Sequence, residues 1–171
     1  GEVRAADKHL DLDFEGSIDW NADRPLFNFN SSIRKADITA LKLLNRADDA
    51  MLSAEVSINM TGSHLDDAEG LIQIDQLVYS EDGKTIKADQ IYLENKLGLK
   101  REFSLISDFA DLRVAGNYTF SDLPQTIDYF IATYVPALTE ANSVRPKSQE
   151  FSFKGKIKRT EELLGIFKPE L

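Results

Sequence analysis

The sequence predicts a mainly β protein. The expected form is a curved, mostly antiparallel sheet, shaped as a trough or half-pipe, with one prominent amphipathic helix near residues 122–140 and a short C-terminal helix. Three observations carry this. Apolar and polar residues alternate along most of the chain, the period of strands with one buried face. The runs are joined by hairpin-length connections, which make neighbours antiparallel. A short motif, apolar-x-apolar-x-Gly-x-apolar, recurs with its glycine on the apolar face, where a sheet bends sharply or another backbone comes close.

In chain order, Leu10, Leu12 and Phe14 oppose Asp11, Asp13 and Glu15, and Ile18 and Trp20 keep the phase past Gly16. Phe27 and Phe29 alternate with Asn28 and Asn30. The segment from Ala36 to Asn45 suits either a strand or a helical turn, and a strand with a possible helical turn is expected. Leu52, Ala54, Val56, Ile58 and Met60 form the longest clean run. Ile72 and Ile74 are followed out of phase by Leu77 and Tyr79, which a bulge near Asp75–Gln76 would explain. Asp82-Gly83 supplies the positive φ angles of a type I′ hairpin. Ile86 and Ala88, then Ile91 and Leu93 out of phase, make the next run. Phe103 to Phe109, Val114 to Phe120 and Phe151 to Ile157 give the remaining strands, nine or ten in all. The glycine motif is complete around Gly16, Gly116 and Gly155, which are expected to mark points of curvature.

The helix is expected from Asp122 as N-cap, with Pro124 just inside and a stripe of Ile127, Phe130, Ile131, Tyr134 and Leu138, bent or ended by Pro136. Thr160 to Phe167 reads as a short second helix stopped before Pro169. Residues 142–149 read as a loop.

Composition narrows the function. With 171 residues and 42% apolar content the chain suits a single domain spanning residues 1–171. A net charge of −9 argues against nucleic-acid binding. The longest apolar run, Tyr129 to Leu138, is too short for a membrane span and contains a proline. There is no cysteine, which removes thiol catalysis, disulfides and thiolate metal sites. His9 and His64 stand apart from any zinc spacing, and no phosphate loop, dinucleotide fingerprint or nucleophile elbow is present. Asp11 and Asp13 read as the solvated side of a strand, and Asp48-Asp49 and Asp66-Asp67 as turn residues. Sequon matches at Asn59 and Asn117 fall inside strands and are discounted. No catalytic residue, metal or cofactor is expected. The start at Gly1 and the stop after Pro169 suggest a slice of a longer protein.

The run from Gly70 to Leu77, Tyr79 with the Asp82–Gly83 hairpin, the run from Ile91 to Asn95 and above all the run from Ser107 to Phe120 resemble the AsmA-like superfamily of Gram-negative envelope proteins, nearest its translocation and assembly module (TamB) branch. In that family a strand ending Ser-Asp-Phe-Ala leads into a strand reading apolar-x-Gly-x-Tyr/Phe and then a helix. Leu26 to Asn30 and Ile33 to Ile38 look similar to its repeated strand. The resemblance implies a parent anchored in the inner membrane by a segment outside this chain. It implies crossing of the periplasm as a long β-sheet, and an apolar concave face that carries phospholipid acyl chains or assists outer-membrane protein assembly with a partner protein there. The long helix departs from that picture, since it would interrupt a continuous trough.

Two readings follow. In one, Ile86, Ile91, Leu93, Phe103, Leu105, Val114, Tyr118 and Phe120 line an open apolar surface that holds lipid acyl chains. In the other, the helix stripe seals the same surface, and the domain is structural or binds protein. They differ in whether a large apolar surface stays open after folding.

Overall fold

The structure is a computed structural model that describes residues 1–43, 49–134 and 149–159. Nine strands form one open sheet in strict chain order: β1 (Glu2–Ala6), β2 (Leu10–Asp19), β3 (Leu26–Asp37), β4 (Met51–Thr61), β5 (Glu69–Glu81), β6 (Lys84–Leu97), β7 (Arg101–Ser107), β8 (Ala110–Asn117) and β9 (Glu150–Ile157). Every neighbouring pair is antiparallel. Among the described residues one helix, α1 (Leu123–Tyr134), lies between β8 and β9.

The prominent helix expected over residues 122–140 is not borne out. α1 has 12 residues beside nine strands. Thr, Ile, Tyr and Phe fill more than half of it, and these are mediocre helix formers. Its start falls where the sequence placed it: Thr126 N–H donates to Asp122 O at 3.0 Å, and Thr119 Oγ1 donates to Asp122 Oδ2 at 2.8 Å. Residues 135–140, most of the expected loop before β9, and the expected C-terminal helix from Thr160 lie outside the described residues.

Two irregularities set the phase of the sheet. Gln76 sits at φ 52° as an extra residue of β5 against β4. The phase slips on β5 and β6 coincide, because Ile74 faces Ile91 and Leu77 faces Ala88. The apolar side therefore continues across the break instead of turning to solvent. On β3 the extra residue is Arg34, between Ile33 and Lys35 in the pairing with β2. Its guanidinium bonds Asp11 at 3.0 Å and Asp13 at 2.7 Å across the polar face. Those hydrogen bonds hold both carboxyls below their ordinary pKa.

The hairpin at Asp82–Gly83 has φ values of 48° and 74°, as a type I′ turn requires. The ambiguous segment after Ala36 resolves into both expectations. β3 ends at Asp37, and a helical turn follows in which Leu41 N–H donates to Asp37 O at 2.9 Å and Ala40 N–H to Asp37 Oδ1 at 2.8 Å. Phe109 and Phe120 fall outside the strands expected to contain them. The chain turns at Ser107, whose Oγ accepts from Phe109 and Ala110 N–H, and β8 stops at Asn117.

Candidate apolar face and its polar end

Residues opposite one another in an antiparallel pair share a face, so the registers map each side chain. One row crosses eight strands: Gly16, Phe29, Ile58, Ile72, Leu93, Leu105, Leu112 and Gly155. Beside it runs Ile18, Phe27, Met60, Gly70, Asn95, Phe103, Val114 and Phe153. On its other flank lie Val3, Phe14, Ser31, Val56, Ile74, Ile91 and Ser107. Aromatic contacts knit the β2–β3 part, with Phe14 and Phe29 at 4.9 Å and Trp20 edge-on to Phe27 at 5.4 Å.

Among the described residues this face is closed at two places. At one end, Ala36, Ile38 and Ala50 are buried under the turn after β3, against Leu10, Ile33, Leu41, Leu52 and Tyr79. Its backbone is satisfied: Ile38 N–H donates to Ala50 O at 2.8 Å, and Ala50 N–H to Thr39 Oγ1 at 2.9 Å. At the opposite end of the strands, β6 to β9 carry the second closure. Between the two, Ile58, Ile72, Ile74, Ile91, Leu93, Leu105 and Leu112 all remain partly exposed. Among the described residues no large side chain is fully buried.

The second closure is polar and aromatic. Arg101 and Asn95 project from the apolar face, at 8% and 6% exposure. Arg101 Nη2 donates to Asp66 O and Asn95 Nδ2 to Ala68 O, which ties the loop between β4 and β5 over this end. The guanidinium lies 4.6 Å from the Phe120 ring centre and 5.5 Å from that of Tyr118. Phe103 meets Phe120 edge-on at 5.4 Å, and Tyr118 meets Phe151 at 5.6 Å. The Asp66 carboxylate accepts from the Ser121 hydroxyl and from Phe120 N–H at 2.6 Å and Ser121 N–H at 3.2 Å. The Ser121 hydroxyl bond, with those backbone donors, holds it below the ordinary carboxylate pKa. Burial pushes the Tyr118 phenol up, so it stays protonated. Among the described residues, three buried polar atoms here have no hydrogen-bond partner: Arg101 Nη1, Tyr118 Oη and Asn95 Oδ1.

The eight expected lining residues divide accordingly. Ile91, Leu93 and Leu105 lie on the open middle, on adjacent strands. Ile86 shares the face but pairs with Tyr79 near the opposite closure, beyond the reach of β7. Phe103, Val114, Tyr118 and Phe120 belong to the polar end, where Val114 and Tyr118 are buried and not open. Of the three expected curvature glycines, two are demanded by close backbone. A Cβ at Gly16 would lie 2.4 Å from Asn28 O, and one at Gly116, with φ 154°, would lie 2.2 Å from Glu150 O. Gly155 has no such need, its nearest neighbour being 3.8 Å away.

Sequence reasoning missed Arg101 and Asn95. The signal was phase: Arg101 shares odd parity with Phe103 and Leu105, and Asn95 with Ile91 and Leu93. Among the described residues no helix is long and apolar enough to cross a membrane. Comparison with known proteins adds nothing to this geometry, for no protein-family model, no curated protein and no solved structure matches the chain.

Proposed function

We propose that this chain is a non-enzymatic lipid-carrying segment of a longer envelope-spanning protein, its apolar sheet face forming a shallow trough for phospholipid acyl chains. The supporting observation is the apolar face itself. Three adjacent rows of side chains run across seven or eight strands, and their middle stays partly exposed. The central row makes seven steps of about 4.8 Å, roughly 34 Å in all. Soluble monomers rarely leave so long an apolar stripe uncovered unless it binds something. Acyl methylenes laid on it gain about 0.8 kcal/mol each on burial, without directional preference, which suits a sliding cargo. The close backbone contacts at Gly16 and Gly116 fit a sheet that bends there.

The resemblance to AsmA-like proteins supplies the setting: the periplasm, a parent anchored in the inner membrane by another segment, and outer-membrane protein assembly through a partner there as a related role. Native mass spectrometry of the purified chain tests the reading. Co-purifying phospholipid, lost in a Leu105→Asp variant that still melts cooperatively, supports it. A lipid-free chain that also fails to take up added phospholipid refutes it.

A structural or protein-binding domain with a closed core is the second reading. The burial of Val114 and Tyr118 favours it at the polar end. The helix stripe that would complete the seal cannot be placed, because Ile127, Phe130, Ile131 and Tyr134 lie outside the described side chains and Leu138 outside the described residues.

A further inference from the structure

Resting on the lipid-carrying reading, we propose that the Arg101 end of the apolar face is a headgroup site, where an anionic lipid phosphate is held by Arg101 and Tyr118 while its acyl chain lies along Leu105 and Leu93. The inference stands on a cation out of place. Arg101 is 8% exposed, on the apolar side of a sheet, and makes no ion pair among the described residues. Its direct protein acceptor is one backbone carbonyl, and two aromatic rings flank its guanidinium. The Asp66 carboxylate is near enough to feel the charge but does not contact the guanidinium, and a buried guanidinium nitrogen with no acceptor is costly. The neighbouring carboxylate, on Asp66, is already engaged by three donors from Phe120 and Ser121.

The unpartnered groups specify the missing ligand. Arg101 Nη1 and the protonated Tyr118 hydroxyl are donors, suited to phosphate oxygens. Asn95 Oδ1 is an acceptor, which calls for a donor next to the phosphate, such as a headgroup hydroxyl or ammonium. Gln149, one residue before the Glu150 that faces Asn117, also carries unpartnered amide atoms. Phe103 and Phe120, both partly exposed, separate these groups from the open middle of the face. Chain and headgroup thus have adjoining places on one surface.

Three monomeric probes test this by calorimetry on the purified chain: palmitoyl lysophosphatidylglycerol, monopalmitoylglycerol and glycerol 3-phosphate. The expected result is that the lysophospholipid binds about tenfold tighter than the neutral monoglyceride, the increment of one charge-assisted hydrogen bond. Glycerol 3-phosphate alone gives no measurable heat. Arg101→Gln brings the lysophospholipid down to the level of the monoglyceride and leaves the monoglyceride unchanged, and Tyr118→Phe weakens only the lysophospholipid, by a few-fold. Should Arg101→Gln fail to fold, the wild-type comparison and Tyr118→Phe decide. Equal binding of the two amphiphiles overturns the headgroup site and leaves the acyl-chain reading standing. Tight binding of glycerol 3-phosphate alone overturns the lipid source in favour of a free-phosphate site. Binding of neither amphiphile overturns both proposals.

Discussion

The two closed ends of the apolar face are built from opposite materials. Under the turn after β3, Ala36, Ile38 and Ala50 are sealed by four aliphatic neighbours and the Tyr79 ring, with the local N–H groups bonded to Ala50 O and Thr39 Oγ1. At the far end of β6 to β9, an arginine, an asparagine and a tyrosine are buried among phenylalanines, each with an unsatisfied atom. The first is what a sheet needs to pin its own edge of core. The second carries a desolvation cost that packing alone does not require. Part of that cost is returned by the bonds from Arg101 and Asn95 to the loop between β4 and β5, and the partly exposed middle lies between the two ends.

The largest effect should come from charging the apolar end. Ala50 has no exposed surface, and Ala50→Asp leaves a carboxylate there without a partner. A loss of about 3–5 kcal/mol in urea unfolding is expected. A loss under about 1 kcal/mol would show that this end is no true core. Next come the glycines. Gly116→Ala meets Glu150 O and a φ that alanine resists, and should cost about 1–3 kcal/mol, whereas Gly155→Ala should be neutral or slightly stabilising. Equal melting temperatures for the two variants would deny the close β8–β9 approach at the polar end. Leu105→Asp, on the partly exposed middle, should cost only about 1 kcal/mol while abolishing lipid uptake.

The smallest effect is acid. Asp37 at one end and Asp66 at the other both have pKa values depressed below 3.8, Asp37 first by the Ala40 N–H and Asp66 first by the Ser121 hydroxyl. A depressed carboxylate contributes stability that is fully present above its unfolded pKa and lost as pH falls through the folded one. The urea midpoint should therefore be flat from neutral pH to about 5 and fall below about 4. Asp66→Asn should lessen that fall, and an unchanged acid slope in this variant would remove Asp66 from the account.

Much of the sheet was legible because strand chemistry is local. Alternation located β2 and β4, the change of phase after Ile74 located the bulge at Gln76, and Asp82-Gly83 located the hairpin. β1 escaped notice because five residues with only Val3 and Ala5 in alternation carry too little pattern. Phe120 was read as a continuing strand because its phase fits, but Asp66 from a distant loop takes its N–H. The Arg101 end was legible only in part. Phase puts Arg101 and Asn95 on the apolar side, but which loop and rings close over them depends on contacts between residues distant in sequence.

The strict chain order of the sheet also governs how the protein comes apart. In the ladder each strand pairs only with its neighbours in sequence, so apart from the loop between β4 and β5 tied to Arg101 and Phe120 the sheet behaves as a one-dimensional array. Stability is then close to a sum of nearest-neighbour terms, and the pairs joined by short turns cost little loop entropy to close, whereas β9 must be brought back to β8 across the segment that carries α1. Opening starts at the outer strands, β1 and β9, and moves inward toward β5 and β6, whose pairing is the longest. Amide hydrogens should exchange in that gradient, fastest at the rims and slowest at the centre.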